Sequence, residues 1–266
     1  MTPSNGTPRQ LQLKPYHVQN LFSEHYLTGV LKDTPLWDTT GMEDTRAEIQ
    51  ALWEEQKEYV EGHSEAALEE EFIRPVLEAL GHVTYVQPPA GKQTPDYAFF
   101  ATEQSKSAAL EADRGGAEFW GHAIAVGDAK TWDRSLDRKL SATSGWDNQN
   151  PSFQIYHYLA GTGCRWGILT NGRLWRIYPG DPKPSMEDYY EVDLLQALQA
   201  EDPTDFAYFF LFFRRVAFVS DDEGETFLDY VRDESDRFAA KLREDVREHV
   251  YDALRLACEG FLNYEP

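Results

Sequence analysis

The spacing of apolar positions changes period twice along the chain. From Asn20 to Leu31 a helix is predicted, and the run from Thr45 to Gly62 places Ile49, Leu52, Trp53, Gln56 and Tyr59 on one helical face. A further helix opens at Ser64, an N-cap residue, and closes before Gly81, with Leu68, Phe72, Val76 and Leu80 repeating every four residues. Pro75 should kink or shorten it, because its nitrogen cannot donate and its ring crowds the preceding turn. Beyond Gly81 the period becomes two. Val83 to Gln87, Asp96 to Phe100 and the buried run Ala123 to Lys130 read as strands, with a surface helix from Thr102 to Ala112 between the last two. Asn150-Pro151-Ser152 caps a helix through Leu159. Asn171-Gly172, between Trp166–Thr170 and Arg173–Tyr178, predicts a type I′ hairpin. From Thr204 the period is helical again: FAYFFLFFRRVAF, then a long charged amphipathic stretch from Glu225 to Leu262.

These elements predict an α/β fold, a mixed sheet of four or five strands flanked by helices. Residues 1–15 read as a disordered leader, 16–200 as the main domain and 201–266 as a helical connector. The apolar fraction of 41% suffices for an ordinary core, so intrinsic disorder is not expected. The two cysteines, Cys164 and Cys258, are far apart and outside any CxxC or Cys/His cluster. A disulfide framework and a structural zinc site are both unsupported, and a cytoplasmic location is expected. Met1 to Gln12 has no charged start followed by an apolar core, so no signal peptide is read. The most apolar stretch, Phe206 to Val219, carries Arg214 and Arg215 and is too short to span a bilayer, so no membrane partner is expected.

Charge then complicates the search for a partner. The formal net charge is −21, which argues against binding a polyanion. Only nine of the 25 cations are Lys, however, and a carboxylate-rich, Lys-poor surface suits a salt-loaded cytoplasm, as in a halophile. The charge is also uneven. Residues 129–180 hold seven cations (Lys130, Arg134, Arg138, Lys139, Arg165, Arg173, Arg176) against Asp133, Asp137 and Asp147, a net positive island in an acidic chain.

The candidate chemistry lies at the head of that island. Pro95-Asp96 opens one strand and Asp128-Ala129-Lys130 ends the next, and residues i and i+2 share a strand face. Two carboxylates and an ammonium on one edge are what metal-assisted hydrolysis of a phosphodiester requires, with the Ala129 carbonyl as a third, backbone ligand. Alone the pattern is common, with Asp96 a turn residue and Lys130 a solvated strand end.

Five segments in order strengthen it: GHSEAALEEEFIRPVLEALG, PDYAFF, AVGDAK, NPSFQIYHYL and WGILTNGRLWRIY. The series resembles the PD-(D/E)XK nuclease domain at the N-terminus of type IIG and related restriction-modification enzymes, and is similar to that of type I restriction motor subunits. The resemblance runs from about Leu21 to the end of the chain. It implies a restriction-endonuclease-like fold, a metal-dependent DNA endonuclease of a restriction-modification or phage-defence system, and Mg²⁺ or Mn²⁺ as cofactor. Asp96, Asp128 and Ala129 would hold the metal, and Asp96, Asp128 and Lys130 would form the catalytic set; the family more often has Glu where Asp128 stands. Gln154 and Tyr158 match the family's Q-x-x-x-Y element, and Glu65, with Glu69 second, matches its acidic residue on the first helix. Glu70 and Glu71 are expected to face solvent. Partner methyltransferase and target-recognition domains would belong to the same or a second chain, since Pro266 falls within what reads as the connector.

Plainer readings stand beside these. Gln154 and Tyr158 can cap and pack a helix, and Glu65 can complement a helix N-terminus. Arg134, Arg138 and Lys139 either contact DNA phosphates or pair with Asp133 and Asp137. Trp166 and Trp175 read as hairpin packing, and His82, His122 and His157 as structural. Asn150-Pro151-Ser152-Phe153 resembles the tetrad with which amino-methyltransferases hold a flipped base, but its third residue and the lack of a Gly-rich loop leave it a helix cap. No phosphate-binding G-x-x-x-x-G-K-[ST] loop is present. A nuclease-like module that binds DNA or a partner without cutting is the alternative, and an RNA- or structure-specific nuclease the third.

Overall fold

The computed structural model describes residues 14–91, 93–112, 115–138, 150–180 and 182–262. Its centre is a sheet of seven strands, two or three more than the sequence predicts, in the order β1-β7-β6-β5-β4-β3-β2. These are β1 (Tyr16–Gln19), β2 (Val83–Val86), β3 (Tyr97–Phe100), β4 (Ala123–Ala129), β5 (Trp166–Thr170), β6 (Leu174–Pro179) and β7 (Tyr189–Asp193). The additions, β1 and β7, pair with each other at one edge. β1 has only four residues beside the polar leader, and β7 follows a proline-rich loop, so neither offers much period-two signal. Residues 1–13 of the expected leader lie outside the described residues. Pro15 is held, its carbonyl accepting from Asp193 N at 2.9 Å.

All strand pairs are antiparallel except β4 and β5. Strands that are sequential and parallel need a crossover, and α7 (Pro151–Thr162) supplies it, packing on both. It starts as its sequence dictates: Asn150 accepts from Ser152 N, and Pro151 occupies the first turn, where its missing N–H costs nothing. With α5 (Glu103–Glu111) and α6 (Ala117–Gly121) it covers one face, around Val126, Ile155, Tyr158, Leu159 and Leu169.

The other face carries the larger core. It is covered by α1 (Glu24–Gly29), α2 (Met42–Gln56), α3 (Glu65–Leu68), α4 (Arg74–Ala79), α8 (Leu194–Gln199), α9 (Thr204–Phe213) and the first turns of α10 (Phe227–Leu262). Every residue from Phe206 to Phe213 is buried, which is why that run is apolar all round. The helical segment from Thr204 therefore begins inside the same core as the sheet.

Three local expectations are modified. Ser64 caps α3 as read, but Pro75 neither breaks nor ends the helix: the π-turn Glu69–Ile73 links α3 to α4, and Arg74 N donates to Glu69 O. Widening the turn just before the proline absorbs its lost donor and its steric demand. Tyr59 is exposed, because α2 stops at Gln56 and the chain turns before the helical phase reaches it. The hairpin forms, but Asn171 N donates to Leu174 O and the loop is Gly172-Arg173, with Gly172 at φ +86° and Asn171 at negative φ. That is the sign pattern of a II′ turn rather than I′. The Asn171 carboxamide oxygen instead accepts from Arg173 N and Leu174 N.

Trp166 and Trp175 are fully buried, as expected of hairpin packing. His82 is buried and contacts Phe213 O at 2.6 Å, and burial pushes its imidazole down to about 4. Among the described residues no helix is long and apolar enough to cross a membrane.

Gly180 follows β6 where a Cβ would lie 2.0 Å from Cys164 O, a backbone atom, whereas a Cβ at Gly161 on α7 would meet nothing within 4 Å. Gly180→Ala should lower stability by about 2 kcal/mol or more, and Gly161→Ala should raise it by about 0.5 kcal/mol. Urea denaturation of the two variants, side by side, checks both signs.

Candidate active site

The β3–β4 register brings the candidate residues together. Tyr97 pairs with Gly127, so Asp96 comes opposite Asp128 one step further on. The Asp96 backbone is fixed by Gln87 N, which donates to its carbonyl at 2.8 Å, and its Oδ2 accepts from Ala129 N at 2.7 Å. Asp128 is 2% exposed, and its Oδ2 lies 2.6 Å from Lys130 Nζ. Lys130 N in turn donates to Thr170 O on β5 at 2.8 Å, which prolongs the parallel ladder past Ala129 and sets the direction of the lysine. The Asp-x-Lys spacing thus does what the sequence predicts, placing both side chains on one face.

That face lies under α7. Gln154 and Tyr158 are both buried on its inner side, and the Tyr158 hydroxyl is 3.5 Å from Thr94 O, two residues before Asp96. From the opposite layer come two glutamates. Glu69 is buried, whereas Glu65 is only half-buried; Glu70 and Glu71 are exposed, as expected. Of the two, Glu69 stands nearer to Asp96 and Tyr97 electrostatically, and Glu65 to Asp128, Lys130 and Arg134. Glu65 opens α3, and Glu69 opens the π-turn that follows it.

The electrostatics are those of crowded acid. Burial raises the Asp96 carboxyl, the charge of Asp128 adds to it, and Lys130 with the Ala129 N–H only partly opposes, leaving Asp96 at about 8. Burial also raises Asp128, against the pull of Lys130. Burial and Asp96 lift Glu69 to about 7, with the Tyr97 hydroxyl opposing. Burial disfavours the Lys130 ammonium, but Asp128 and Asp96 outweigh it and hold that group charged.

The expected DNA-contacting residues fare unevenly. The Arg134 side chain is buried, desolvated and next to Glu65, so it is not presented to a phosphate backbone. Arg138 is exposed, and Lys139 lies outside the described residues. The main partner of Asp137 comes from across the sheet, with Arg138 a smaller influence on its carboxyl. Asp137 receives both terminal nitrogens of Arg176, at 2.6 and 2.8 Å. The positive island is in fact largely neutralised from outside itself: Arg165 by Glu225 and Asp229, Arg173 by Asp193, and Arg176 by Glu191 as well as Asp137.

Arg176 is the functional-scale feature that sequence reasoning missed. It is buried, and besides its two carboxylates it donates to Ser152 Oγ (3.3 Å) and Tyr178 OH (3.2 Å). Ser152 Oγ also donates to Leu136 O at 2.9 Å, and Asn150 Nδ2 to Asp137 O at 3.0 Å. One guanidinium therefore ties the chain leaving Lys130 to the start of the helix bearing Gln154 and Tyr158. A signal was present: Arg176 sits in an otherwise apolar strand, and Glu191 is its cross-strand partner.

Among the described residues no group of three or more His, Cys, Asp or Glu is arranged to hold a metal ion. A surface cleft of about 730 Å³ lies elsewhere, lined by Phe153, Tyr156, Met186 and Arg232 among others. In comparisons with known proteins, no family model, no curated protein and no solved structure matches this chain.

Asp96 and Glu69 keep protons in the folded state that the unfolded chain, with carboxyls near 4, releases between about pH 4 and pH 8. Stability should therefore fall as pH rises through that window when divalent cations are chelated. Asp96→Asn should flatten the fall, leaving the variant more stable than the parent at about pH 8.5 but not at about pH 5. Urea midpoints at the two pH values in EDTA measure the difference.

Proposed function

We propose that this chain is a metal-dependent DNA endonuclease domain of the PD-(D/E)XK kind, from a restriction-modification or phage-defence system, with a restriction-endonuclease-like sheet. The observation that carries the reading is the facing pair Asp96 and Asp128 at adjacent strand ends, Asp128 buried and Asp96 half-buried, with Lys130 beside them and Glu65 and Glu69 in electrostatic reach. Burial and mutual repulsion hold protons on Asp96 and Glu69, so a divalent cation bound there would take the place of those protons. Mg²⁺ takes one or two carboxylates and completes its shell with water and phosphate oxygens, so the donor set fits it without a third protein carboxylate.

Asp96 and Asp128 would hold Mg²⁺ or Mn²⁺, with the Ala129 carbonyl on the same strand end. The bound ion would supply Lewis-acid polarisation of the phosphate and a more acidic water. Lys130, kept protonated by its two aspartates, offers N–H donors to the attacking water and to the charge that develops on phosphate. Gln154 and Tyr158 line the covering helix, and Tyr158 steadies the approach to Asp96 through Thr94. The DNA backbone would be met by Arg138 and Lys139 and not by Arg134. Methyltransferase and target-recognition domains, in the same or a partner chain, would supply sequence choice.

One observation favours a second reading, a nuclease-like module that binds without cutting. Lys130 is already paired with Asp128, the Ala129 N–H already donates to Asp96, and most cations of the island are paired. Calorimetric titration with Mg²⁺ and Mn²⁺ separates the two, because absence of metal affinity removes this route to catalysis.

The direct test is plasmid nicking with Mg²⁺ from low salt to molar KCl. Asp128→Ala and Lys130→Ala should each lower the rate by about 100-fold or more, with the far-ultraviolet circular dichroism spectrum unchanged. Metal-dependent cleavage that survives both substitutions would overturn the site.

A further inference from the structure

From Ala240 to Glu259 every residue of α10 is exposed, twenty in succession along about 30 Å of helix. In proteins most of a helix's stability comes from packing an amphipathic face, and here no face is covered. This one is not polar all round. Leu242, Val246, Val250, Ala253 and Ala257 follow one another at spacings of 4, 4, 3 and 4, a continuous stripe at 3.6 residues per turn, with Leu254 and Leu256 at its margins. Leu242, Val246, Val250, Leu254 and Leu256 are all between 40% and 63% exposed. So long an apolar line on a surface helix marks an interface.

Charge identifies the occupant. Within residues 240–259 four cations (Lys241, Arg243, Arg247, Arg255) face five acids (Glu244, Asp245, Glu248, Asp252, Glu259), a local net of −1 in a chain of −21. Two such acidic chains can therefore meet along this stretch with little repulsion. The charges are also sorted. Arg243 and Arg247 border the stripe on one side, Asp245 and Asp252 on the other. Two parallel copies related by an axis along the helices bring the basic border of each against the acidic border of the other. An antiparallel pair would set like against like. The ion pairs these residues make now, Arg247 with Glu244 and Arg255 with Asp252, are exposed and three apart on one helix, so exchanging them costs little.

We propose that α10 pairs in parallel, through this stripe, with α10 of a second copy of the chain. The inference does not depend on the nuclease reading. Sedimentation velocity of the full chain, from low to high micromolar concentration in dilute and in molar KCl, should show a dimer. Leu242→Glu combined with Val250→Glu should weaken self-association by about 30-fold or more while leaving the melting temperature of the monomer unchanged, both positions being exposed. Orientation is read by disulfide cross-linking in a Cys258→Ser background. Leu242→Cys and Ala253→Cys, eleven residues apart, should each link to its own copy, which an antiparallel pair cannot do at both heights. A monomer at all concentrations, a dimer indifferent to the glutamates, or self-linking at only one height would overturn the proposal.

Discussion

The parallel pairing of β4 with β5 is the constraint around which the candidate site is built. In a sheet otherwise made of antiparallel pairs, it sends two strands in the same direction and forces the chain across one face between them. That crossing has two consequences. It puts Asp128 and Lys130 at a strand end with no hairpin to fold back over them, and it lays α7 directly on the face from which Asp128 projects. The crossover therefore brings Gln154 and Tyr158 over this strand end.

A crossover is only as well positioned as its two ends, and here Arg176 holds both. A buried guanidinium is costly unless its donors are used, and this one meets two carboxylates and two hydroxyls. Leu136 and Asp137 on the outgoing side and Asn150 and Ser152 on the returning side are drawn to one point. On the opposite face, Trp132 stacks on Trp53 at 5.5 Å and meets Phe72, fixing the first residues after Lys130 against α2 and the π-turn region. The same turn presents Glu69. Polar and aromatic contacts from both layers thus converge on the few residues around the end of β4.

How much of this was legible follows from where each signal resides. Local chemistry was: the Ser64 and Asn150 caps, the four-residue stripe through Leu80, the buried AIAVGDA strand and the Asp-x-Lys spacing are set by residues close in sequence. What was not legible depends on partners far away. β1 is too short to show a period and exists as a strand because β7 is beside it. The π-turn depends on Pro75 and on what Glu69 meets across the core. The Gly172-Arg173 loop was misread by one residue because Asn171 uses its side chain in the turn and not its backbone conformation. Arg134 looked like a phosphate contact until folding buried it beside Glu65.

Charge shows the same division between local count and global placement. The positive island between residues 129 and 180 is real in sequence, yet its arginines are spent on Asp193, Glu191, Glu225 and Asp229, carboxylates contributed by β7 and by the chain around the start of α10. Those pairs fasten the sheet to its neighbours instead of forming an open basic surface. The carboxyls crowded in the interior are those of Asp96, Asp128, Glu65 and Glu69, with Lys130 beside the aspartates, Arg134 near Glu65 and Arg74 near Glu69. An acidic chain that pairs Arg165, Arg173 and Arg176 elsewhere crowds its buried carboxyls at one place, where Asp96 and Glu69 hold their protons well above the usual carboxylate range. That crowding of acid, rather than any basic surface, is what the fold builds around the end of β4.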